Sequence, residues 1–369
     1  MLEIIELTKE NHGRCTKDWN DYCDSNNSST FFHTLTWKKI IENTYNFKPM
    51  YLLCYENGKV MGVAPFFLTE SILFGKKIIS TPFNFYNGIL YDDKKIIKKF
   101  IDYLLKCYKN TPKNYSIEYI QIKNLEVFDN EIINSCRLNE ELHYNISFLD
   151  LNNVNYTKRL TKNLRTIHRN ADKNNIYIRE AASKKDIQEW HYIMTKTLRD
   201  KHNMISQPLK LFYNIYEICG DSMKLFLSCI KKNENEKIND KMTEKIIGGT
   251  LLFFYKNQAV YAWGASDQAY KEFSPNTILV DYHVNYCMSK KFSTLDFGVT
   301  SPEHHSLLKF KESFGCVHKK LPFYYLLLNN NSIPHLDYHT SFKTLRKPFK
   351  YVPIPLINAF SPYITKHLT

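Results

Sequence analysis

Several common sequence signals are missing from this chain of 369 residues. No apolar run reaches the ~18–20 residues that a membrane-spanning helix requires. The nine cysteines form no Cys-x-x-Cys pair and no regular spacing, which favours buried, reduced thiols in a cytosolic protein over a disulfide framework. His304-His305 is the only adjacent histidine pair, and neighbours in a regular element face different directions, so we predict no metal site.

Glycine is also scarce, with 11 residues, and no glycine-rich phosphate loop accompanies the kinase-like Asp296-Phe-Gly298. Acidic residues are outnumbered, with 37 Asp and Glu against 50 Lys and Arg, for a net charge of +13. This excess favours an anionic partner, either nucleic acid, a membrane surface or a phosphorylated substrate. The codon usage of an AT-rich genome explains the same excess equally well.

The length and the 43% hydrophobic content predict two domains with separate cores. The N-terminal run Met1–Leu7 carries acids among its apolar residues, so it is predicted as a first strand and not as a secretory signal. Two later segments share one plan, in which a strand, a turn and a glycine-containing strand precede a helix. They cover 50–108 and 224–290, the second with a charged loop at 231–245.

We therefore predict an α/β (α+β) fold built from two diverged copies of one unit. The predicted domains are 1–150 and 151–333, followed by a basic, proline-containing tail at 334–369. Further helices are predicted at Thr36–Asn43, with Thr36 as its cap, and at Lys185–Asp200. A basic helix follows the boundary, and its charges at Lys158, Lys162, Arg165 and Arg169 share one face. That face either contacts RNA or phosphate groups or is an ordinary solvated surface.

The segment 295–315 is the most informative part of the chain. Asp296 lies in a short apolar strand that ends at Gly298, and Lys311 stands between Phe310 and Phe314 on a second predicted strand. A shielded lysine cation is suited to stabilise a tetrahedral oxyanion during aminolysis of an activated ester. The alternative is a solvated lysine on an edge strand. Asp296 either orients the amine or Lys311, or it caps the end of its strand.

An ordered set of short motifs spans about residues 30–325. The motifs are Phe31-Phe-His-Thr-Leu-Thr-Trp37, Gly62-Val-Ala-Pro65, Thr81-Pro-Phe-Asn-Phe-Tyr-Asn-Gly88, Gly248-Gly249, Tyr261-Ala-Trp-Gly-Ala-Ser266, Pro275-Asn276, Asp296-Phe-Gly298, and Phe310-Lys311 with Gly315. This ordered set resembles the Fem-type N-acyltransferases, a GNAT-like family that extends cell-wall peptides.

The resemblance implies two tandem GNAT-like domains, each a mixed and mainly antiparallel sheet flanked by helices. It implies N-acyl transfer that forms an amide on a cell-envelope precursor, and it points to Lys311 as a catalytic residue beside Asp296. Arg199 lies in an element similar to the family's Thr-x-x-Arg-Asp and is expected to hold an acceptor carboxylate or phosphate. The substrate-binding residues expected from this comparison are Phe310, Trp263, Gly264, Tyr86, Arg199 and Asn276.

Two of these residues keep simpler interpretations: Trp263 as a core residue and Asn276 as a helix N-cap. The chain also departs from the Fem pattern. The 231–245 loop is too short for the family's coiled-coil arm, and Ile40 and Ile41 stand where a lysine is expected after the first tryptophan.

The expected donor is aminoacyl-tRNA, because the residues between Gly264 and Asn276 lack the glycine pair with which GNAT enzymes grip coenzyme A. Two alternatives remain: an acyl-CoA-dependent N-acyltransferase that acts on an amino sugar, and a non-enzymatic basic module that binds RNA or a membrane surface. We expect a cytoplasmic monomer without a bound cofactor. Basic residues of the tail, including Lys343, Arg346, Lys347 and Lys350, are expected to favour peripheral contact with the inner face of the membrane.

Overall fold

The computed structural model describes residues 1–72, 75–83, 86–108, 116–231, 244–329, 332–333 and 347–367. The chain divides into two compact units. The first unit comprises Met1–Asn145, Lys320–Ser341 and Lys366–Thr369, and the second comprises Ile146–Lys319 and Phe342–Thr365. Residues 320–333, predicted in the second domain, therefore fall in the first unit. The 232–243 part of the predicted charged loop lies outside the described residues.

The secondary structure alternates strands and helices along the chain. The strands are β1 Leu2–Glu6, β2 Lys48–Glu56, β3 Lys59–Ser71, β4 Gly75–Ile79, β5 Leu90–Tyr91, β6 Ile117–Lys123, β7 Asn139–Asp150, β8 Ile176–Glu180, β9 Met223–Lys231, β10 Glu244–Tyr255, β11 Gln258–Ser266, β12 Thr294–Thr300 and β13 Val317–Leu327. The α-helices are α1 His12–Ser25, α2 Leu35–Tyr45, α3 Lys95–Tyr108, α4 Asn130–Cys136, α5 Lys158–Lys173, α6 Lys184–Thr197, α7 Leu209–Cys219, α8 Pro275–Ser289, α9 His305–Ser313 and α10 Ile354–Lys366.

In the first unit the strands run in the order β1-β2-β3-β4-β6-β13, and residues 320–327 of β13 belong to this unit. Neighbours are antiparallel except β4 and β6, which are parallel and are joined through α3. The predicted hairpin forms, with Glu56 opposite Lys59 across Asn57-Gly58. Alternate strand residues meet α3 and α4 in a core that includes Ile78, Phe100 and Ile120.

In the second unit the order is β7-β12-β11-β10-β9-β8, with residues 146–150 of β7 in this unit. Strands β8 to β11 are antiparallel, whereas β11 and β12 are parallel and joined through α8. Because α8 presents Leu279, Val280 and Val284 to the sheet, the core lies between this helix and Leu252 and Leu295.

Both units thus repeat one plan, a mainly antiparallel sheet that contains one helix-connected parallel pair. This confirms the predicted fold class, and no long coiled-coil arm is seen in the parts of the chain that the structure describes. The cap of α2 was predicted wrongly. Thr34, not Thr36, is the N-cap, since its side chain accepts a hydrogen bond from the backbone N–H of Trp37. Eight of the nine cysteines are buried, and all nine are free thiols. None of the described helices combines the length and apolar character that crossing a bilayer requires.

Close packing against Gly249 in the second unit gives a test of the fold. A Cβ atom at Gly249 would lie 2.7 Å from the Trp190 ring and 2.8 Å from Leu227. We expect Gly249→Ala to destabilise the protein by about 1–3 kcal/mol through overpacking. At Gly13, in α1, a Cβ meets nothing within 4 Å. Gly13→Ala is the matched control, and it is expected to be neutral or to stabilise by up to about 1 kcal/mol. Thermal unfolding of both variants measures the difference, and equal effects would contradict the packing described.

Candidate active site

The parallel strands β11 and β12 pair only over the first three residues of each strand. Their pairing covers Gln258↔Thr294, Ala259↔Leu295 and Val260↔Asp296, although β11 continues to Ser266 and β12 to Thr300.

Beyond the last pair, side chains that would be covered within a continuous sheet reach solvent. On β11, Tyr261 and Trp263 are partly exposed and Gly264 is exposed, and on β12 Gly298 and Val299 are partly exposed. The sheet of the second unit therefore has an opening between β11 and β12, and a substrate can approach backbone and side chains there.

Lys311 lies next to this opening and is only 4% exposed. Its ammonium donates hydrogen bonds to the carbonyl oxygen of Gly298 at 3.0 Å and to the hydroxyl of Thr300 at 2.6 Å. An ammonium group has three N–H donors. Two of them are engaged by these residues, and no third partner is seen within the described part of the chain.

The sequence analysis predicted that Lys311 lies on a strand. This prediction is wrong, because Lys311 lies in the last turn of α9. Phe310 and Phe314, four residues apart, meet edge to face at 5.3 Å, which is the contact that one helical turn produces. Gly315 follows with a φ of +88°, the left-handed conformation in which many helices end. The alternative, a solvated lysine on an edge strand, is also wrong, because Lys311 is helical and buried.

Asp296 shapes the strand end that holds the lysine. The side chain is fully buried, and its Oδ1 accepts a hydrogen bond from the backbone N–H of Gly298 at 2.6 Å. Gly298 has a φ of +69°, a conformation that an L side chain strains, so the turn depends on glycine here. Asp296 thus satisfies a backbone N–H, as its alternative role required, but the predicted strand end at Gly298 is wrong because β12 continues to Thr300.

Burial dominates the titration of Lys311. Desolvation lowers the pKa of its ammonium from 10.5 to about 8, while the charges of Asp296 and Cys316 act in the opposite direction. The lysine therefore remains a cation at neutral pH in an apolar setting, where its charge acts more strongly than it does in water.

Aromatic rings form the wall beside the lysine. Phe297 stacks on Tyr261 at 6.0 Å and contacts Phe314 at 6.3 Å. The Tyr261 hydroxyl lies over Gly264, because a Cβ there would come within 1.8 Å of it. The space that the missing side chain of Gly264 leaves is therefore taken by Tyr261, a residue that the sequence analysis did not single out.

Other predicted site residues are distributed over the two units. Trp263 borders the opening and packs edge to face on Phe212 at 5.3 Å, so it is both wall and core. Asn276 is exposed in the first turn of α8, but the N-cap is Ser274, so the predicted capping role of Asn276 is wrong. Tyr86 belongs to the first unit, where it is buried against Phe32.

Arg199 lies in a π-helical turn, Leu198–His202, that follows α6. Its Nε donates to Asp200 at 2.7 Å, and a second nitrogen donates to the carbonyl oxygen of Val352 at 3.3 Å. The guanidinium thus fixes the start of the C-terminal helical segment. Nothing in the local sequence signals this contact between residues 153 positions apart.

The basic residues predicted for RNA or phosphate binding do share one helix, α5. Thr157 caps it, and Leu160 and Leu164 are buried on the inner face. The outer face carries exposed cations, none of which forms an ion pair with a carboxylate of the described residues. These cations are Lys158, Lys162, Arg165 and Arg169.

A buried carboxylate fastens α5 to α8. Asp281 is 9% exposed and accepts hydrogen bonds from the Tyr156 hydroxyl at 3.1 Å and from Asn285 at 3.4 Å, and its other contact is with His168 Nε2 at 3.0 Å. The basic helix α5 is therefore held against α8, the helix that follows β11 in the chain. Within the described ranges, no group of three or more His, Cys, Asp or Glu side chains could hold a metal ion.

The chain resembles known proteins in sequence and in fold. Residues 231–322, about a quarter of the chain, match the model of the FemAB family, and that range contains β11, β12 and Lys311. Two curated lipid II:glycine glycyltransferases, from two strains of Staphylococcus epidermidis, are each 31% identical over 101 residues. That alignment covers 26% of this chain and 23% of each relative, so the chain spans about a quarter of their length.

The fold is shared over nearly the whole chain with the crystal structure of FemX, at a TM-score of 0.66 and 16% identity, covering 89% of this chain and 98% of that one. A putative lysylphosphatidylglycerol synthetase domain from Agrobacterium fabrum aligns at a TM-score of 0.54 and 10% identity, covering 86% and 92%. A tandem GNAT protein of the clavulanic acid pathway aligns at 0.51 and 8% identity, covering 90% and 100%. The predicted resemblance to Fem-type, GNAT-like proteins is confirmed.

The burial of Lys311 predicts a pH dependence of stability. Its pKa is 10.5 when exposed and about 8 in the folded protein. Between these values the unfolded chain binds more protons than the folded one, so stability gains a contribution as pH rises from 8 to 10. We expect the free energy of unfolding of the wild type to rise over this range relative to that of Lys311→Met. Denaturant unfolding at several pH values measures it, and parallel curves would contradict the burial.

Proposed function

We propose that this chain is an N-acyltransferase of the Fem type that forms an amide on an amine of a cell-envelope precursor. The observation that carries the proposal is the buried Lys311 ammonium, with one N–H unused by its described partners, beside the opening between β11 and β12. The 31% identity over 101 residues to lipid II:glycine glycyltransferases supports the reaction class.

Amide formation by aminolysis of an ester requires little covalent help from the protein. The amine nitrogen attacks the acyl carbon, the carbonyl oxygen becomes an oxyanion, and the ester C–O bond then breaks. The amine loses a proton and the leaving oxygen gains one, so the step balances without a further reactant. A fixed cation next to the oxyanion is the main contribution that the protein can make. In this scheme Lys311 supplies that cation.

Asp296 has a positioning role in this proposal. Its hydrogen bond to the Gly298 N–H fixes the turn whose carbonyl oxygen holds Lys311. Its negative charge also raises the pKa of Lys311 and so favours the protonated form. Phe310, Trp263 and Gly264 line or border the opening and are proposed to contact the acyl group or acceptor, while Tyr86, Arg199 and Asn276 remain proposed substrate contacts.

The proposed donor is aminoacyl-tRNA. The segment between β11 and α8 forms a short 3₁₀ turn, Gln268–Phe273, and carries no glycine pair for a pyrophosphate. The exposed cations of α5 offer a surface for the phosphates of RNA. The proposed acceptor is a lipid-linked precursor, which places the protein at the inner face of the membrane.

Replacing Lys311 tests the chemistry. Lys311→Met removes the cation but keeps a side chain of similar length, so we expect kcat to fall about 10²–10³-fold. Folding should persist, because the change also removes a buried charge. Lys309 is exposed on the same helix, and Lys309→Met is the matched control with expected wild-type activity.

The assay is transfer of a labelled amino acid from charged tRNA to the acceptor. We also expect the rate of the wild type to fall above about pH 8, where Lys311 loses its proton. A Lys311→Met variant with normal turnover would contradict the proposed mechanism.

Charge reversal on α5 tests the donor. The triple variant Lys162→Glu, Arg165→Glu and Arg169→Glu should raise KM for charged tRNA roughly tenfold or more. It should also reduce the salt dependence of binding by about one unit of log–log slope per lost phosphate contact. Lys9→Glu, at an exposed position of the first unit, is the control. Unchanged tRNA binding, with thermal stabilisation by acetyl-CoA, would favour the coenzyme A alternative instead.

A further inference from the structure

The C-terminal helix α10 has one buried face and one exposed apolar face. Its inner face, formed by Ile354, Ile357, Ser361 and Thr365, is buried. The opposite face carries large apolar side chains spaced by four and three residues, so they align along the helix. Together with a tyrosine in the preceding 3₁₀ turn they form the apolar stripe: Tyr351, 82% exposed, Leu356, 49%, Phe360, 55%, and Tyr363, 72%.

This stripe is unusual for a surface helix, whose outer face is ordinarily polar. The helix contains a single charged residue, Lys366, at its C-terminal end. Contiguous exposed apolar patches on soluble domains commonly mark an interaction site. We therefore expect the stripe to contact a partner that accepts aromatic and aliphatic side chains along about two helical turns.

The helix that presents the stripe is held in place. Arg199 donates to the carbonyl oxygen of Val352, just before the helix begins. The N–H groups of Leu356 and Ile357 bond the carbonyl oxygen of Pro353. On the inner face, the Thr365 hydroxyl donates to the carbonyl oxygen of Ser361 at 2.6 Å. The exposed side chains thus project from an ordered support.

The positive charge of the C-terminal segment favours an anionic partner for the stripe. Residues 338–369 contain five Lys and Arg residues and no Asp or Glu. Lys350, exposed, stands at the start of the stripe and Lys366, partly exposed, at its end. A second copy of the chain seated on the stripe would bring two such cationic segments together, which costs free energy. An anionic lipid surface attracts the cations and accepts the apolar side chains.

We infer that the apolar stripe of α10 inserts into the headgroup region of an anionic membrane, with Lys350 and Lys366 against the lipid phosphates. Phenylalanine and tyrosine suit this depth, because their rings are apolar while the tyrosine hydroxyl remains at the polar boundary. This inference names the residues that would make the membrane contact proposed above. It rests on the proposed function for the presence of the protein at a membrane. It does not depend on the chemistry assigned to Lys311.

Flotation of the full chain with lipid vesicles tests the inference. We expect binding to phosphatidylcholine vesicles that contain about one third phosphatidylglycerol, and much weaker binding to phosphatidylcholine alone. The triple variant Leu356→Gln, Phe360→Gln and Tyr363→Gln should bind at least tenfold more weakly. Val127 and Tyr192, 65% and 52% exposed, are apolar positions outside this helix, and Val127→Gln and Tyr192→Gln are the matched controls with unchanged binding.

A second variant reports insertion directly and keeps the side chain apolar. Phe360→Trp should show a blue-shifted emission with anionic vesicles and quenching by brominated lipid. Binding that the triple variant retains and that salt abolishes would overturn the inference, since charge alone would then explain it. A dimer in the absence of lipid that the triple variant disrupts would also overturn it, and would assign the stripe to a second copy.

Activity separates this inference from the proposed function. Transfer to a soluble acceptor analogue should be unchanged in the triple variant, because the three side chains are exposed and none of them is assigned to the proposed site. Loss of vesicle binding with normal transfer supports the inference. Normal vesicle binding by Lys311→Met, with transfer lost, would confirm that the two properties are independent.

Discussion

A lysine ammonium placed in an apolar interior requires oxygen atoms around it, and the second unit is arranged to provide them for Lys311. The Gly298 carbonyl is available only because β12 turns there with a positive φ, and Asp296 holds that turn through the Gly298 N–H. Thr300 completes the set. The same turn lies where β11 and β12 cease to pair, so one constraint accounts for the buried cation and for the opening beside it.

The first unit also buries a lysine ammonium beside its parallel pair of strands. Lys123 ends β6, the second strand of the parallel pair β4/β6, and its ammonium donates to the carbonyl oxygens of Thr81 and Phe83. Phe83, like Gly298, has a positive φ. Burial, together with the charge of Lys77, lowers the pKa of Lys123 to about 7. Each unit thus buries a lysine against backbone carbonyl groups, although Lys123 lies on a strand and Lys311 on a helix.

Much of the fold followed from local patterns. The Asn57-Gly58 turn between alternating apolar runs predicted the β2–β3 hairpin, and helical spacing predicted α3 and α8 at the ends of the repeated segments and the basic helix α5. The element of Lys311 was predicted wrongly because its flanking phenylalanines suggested strand alternation. Their separation of four residues and the following Gly315 were the helical signals, and they decide the conformation.

The sequence by itself determined the order of the elements and the Fem-type motifs, and it led to the proposal of Lys311 as the catalytic residue. Periodicity, turn chemistry and motif order are local properties, so they can be read along the chain. Tertiary structure alone decided that Lys311 is buried, that Thr300 bonds it, that Asp281 fastens the basic helix to α8, and that Arg199 holds Val352. It also left one face of α10 apolar and exposed. Burial and hydrogen bonds between distant residues exist only once the chain has folded, because they depend on which surfaces meet.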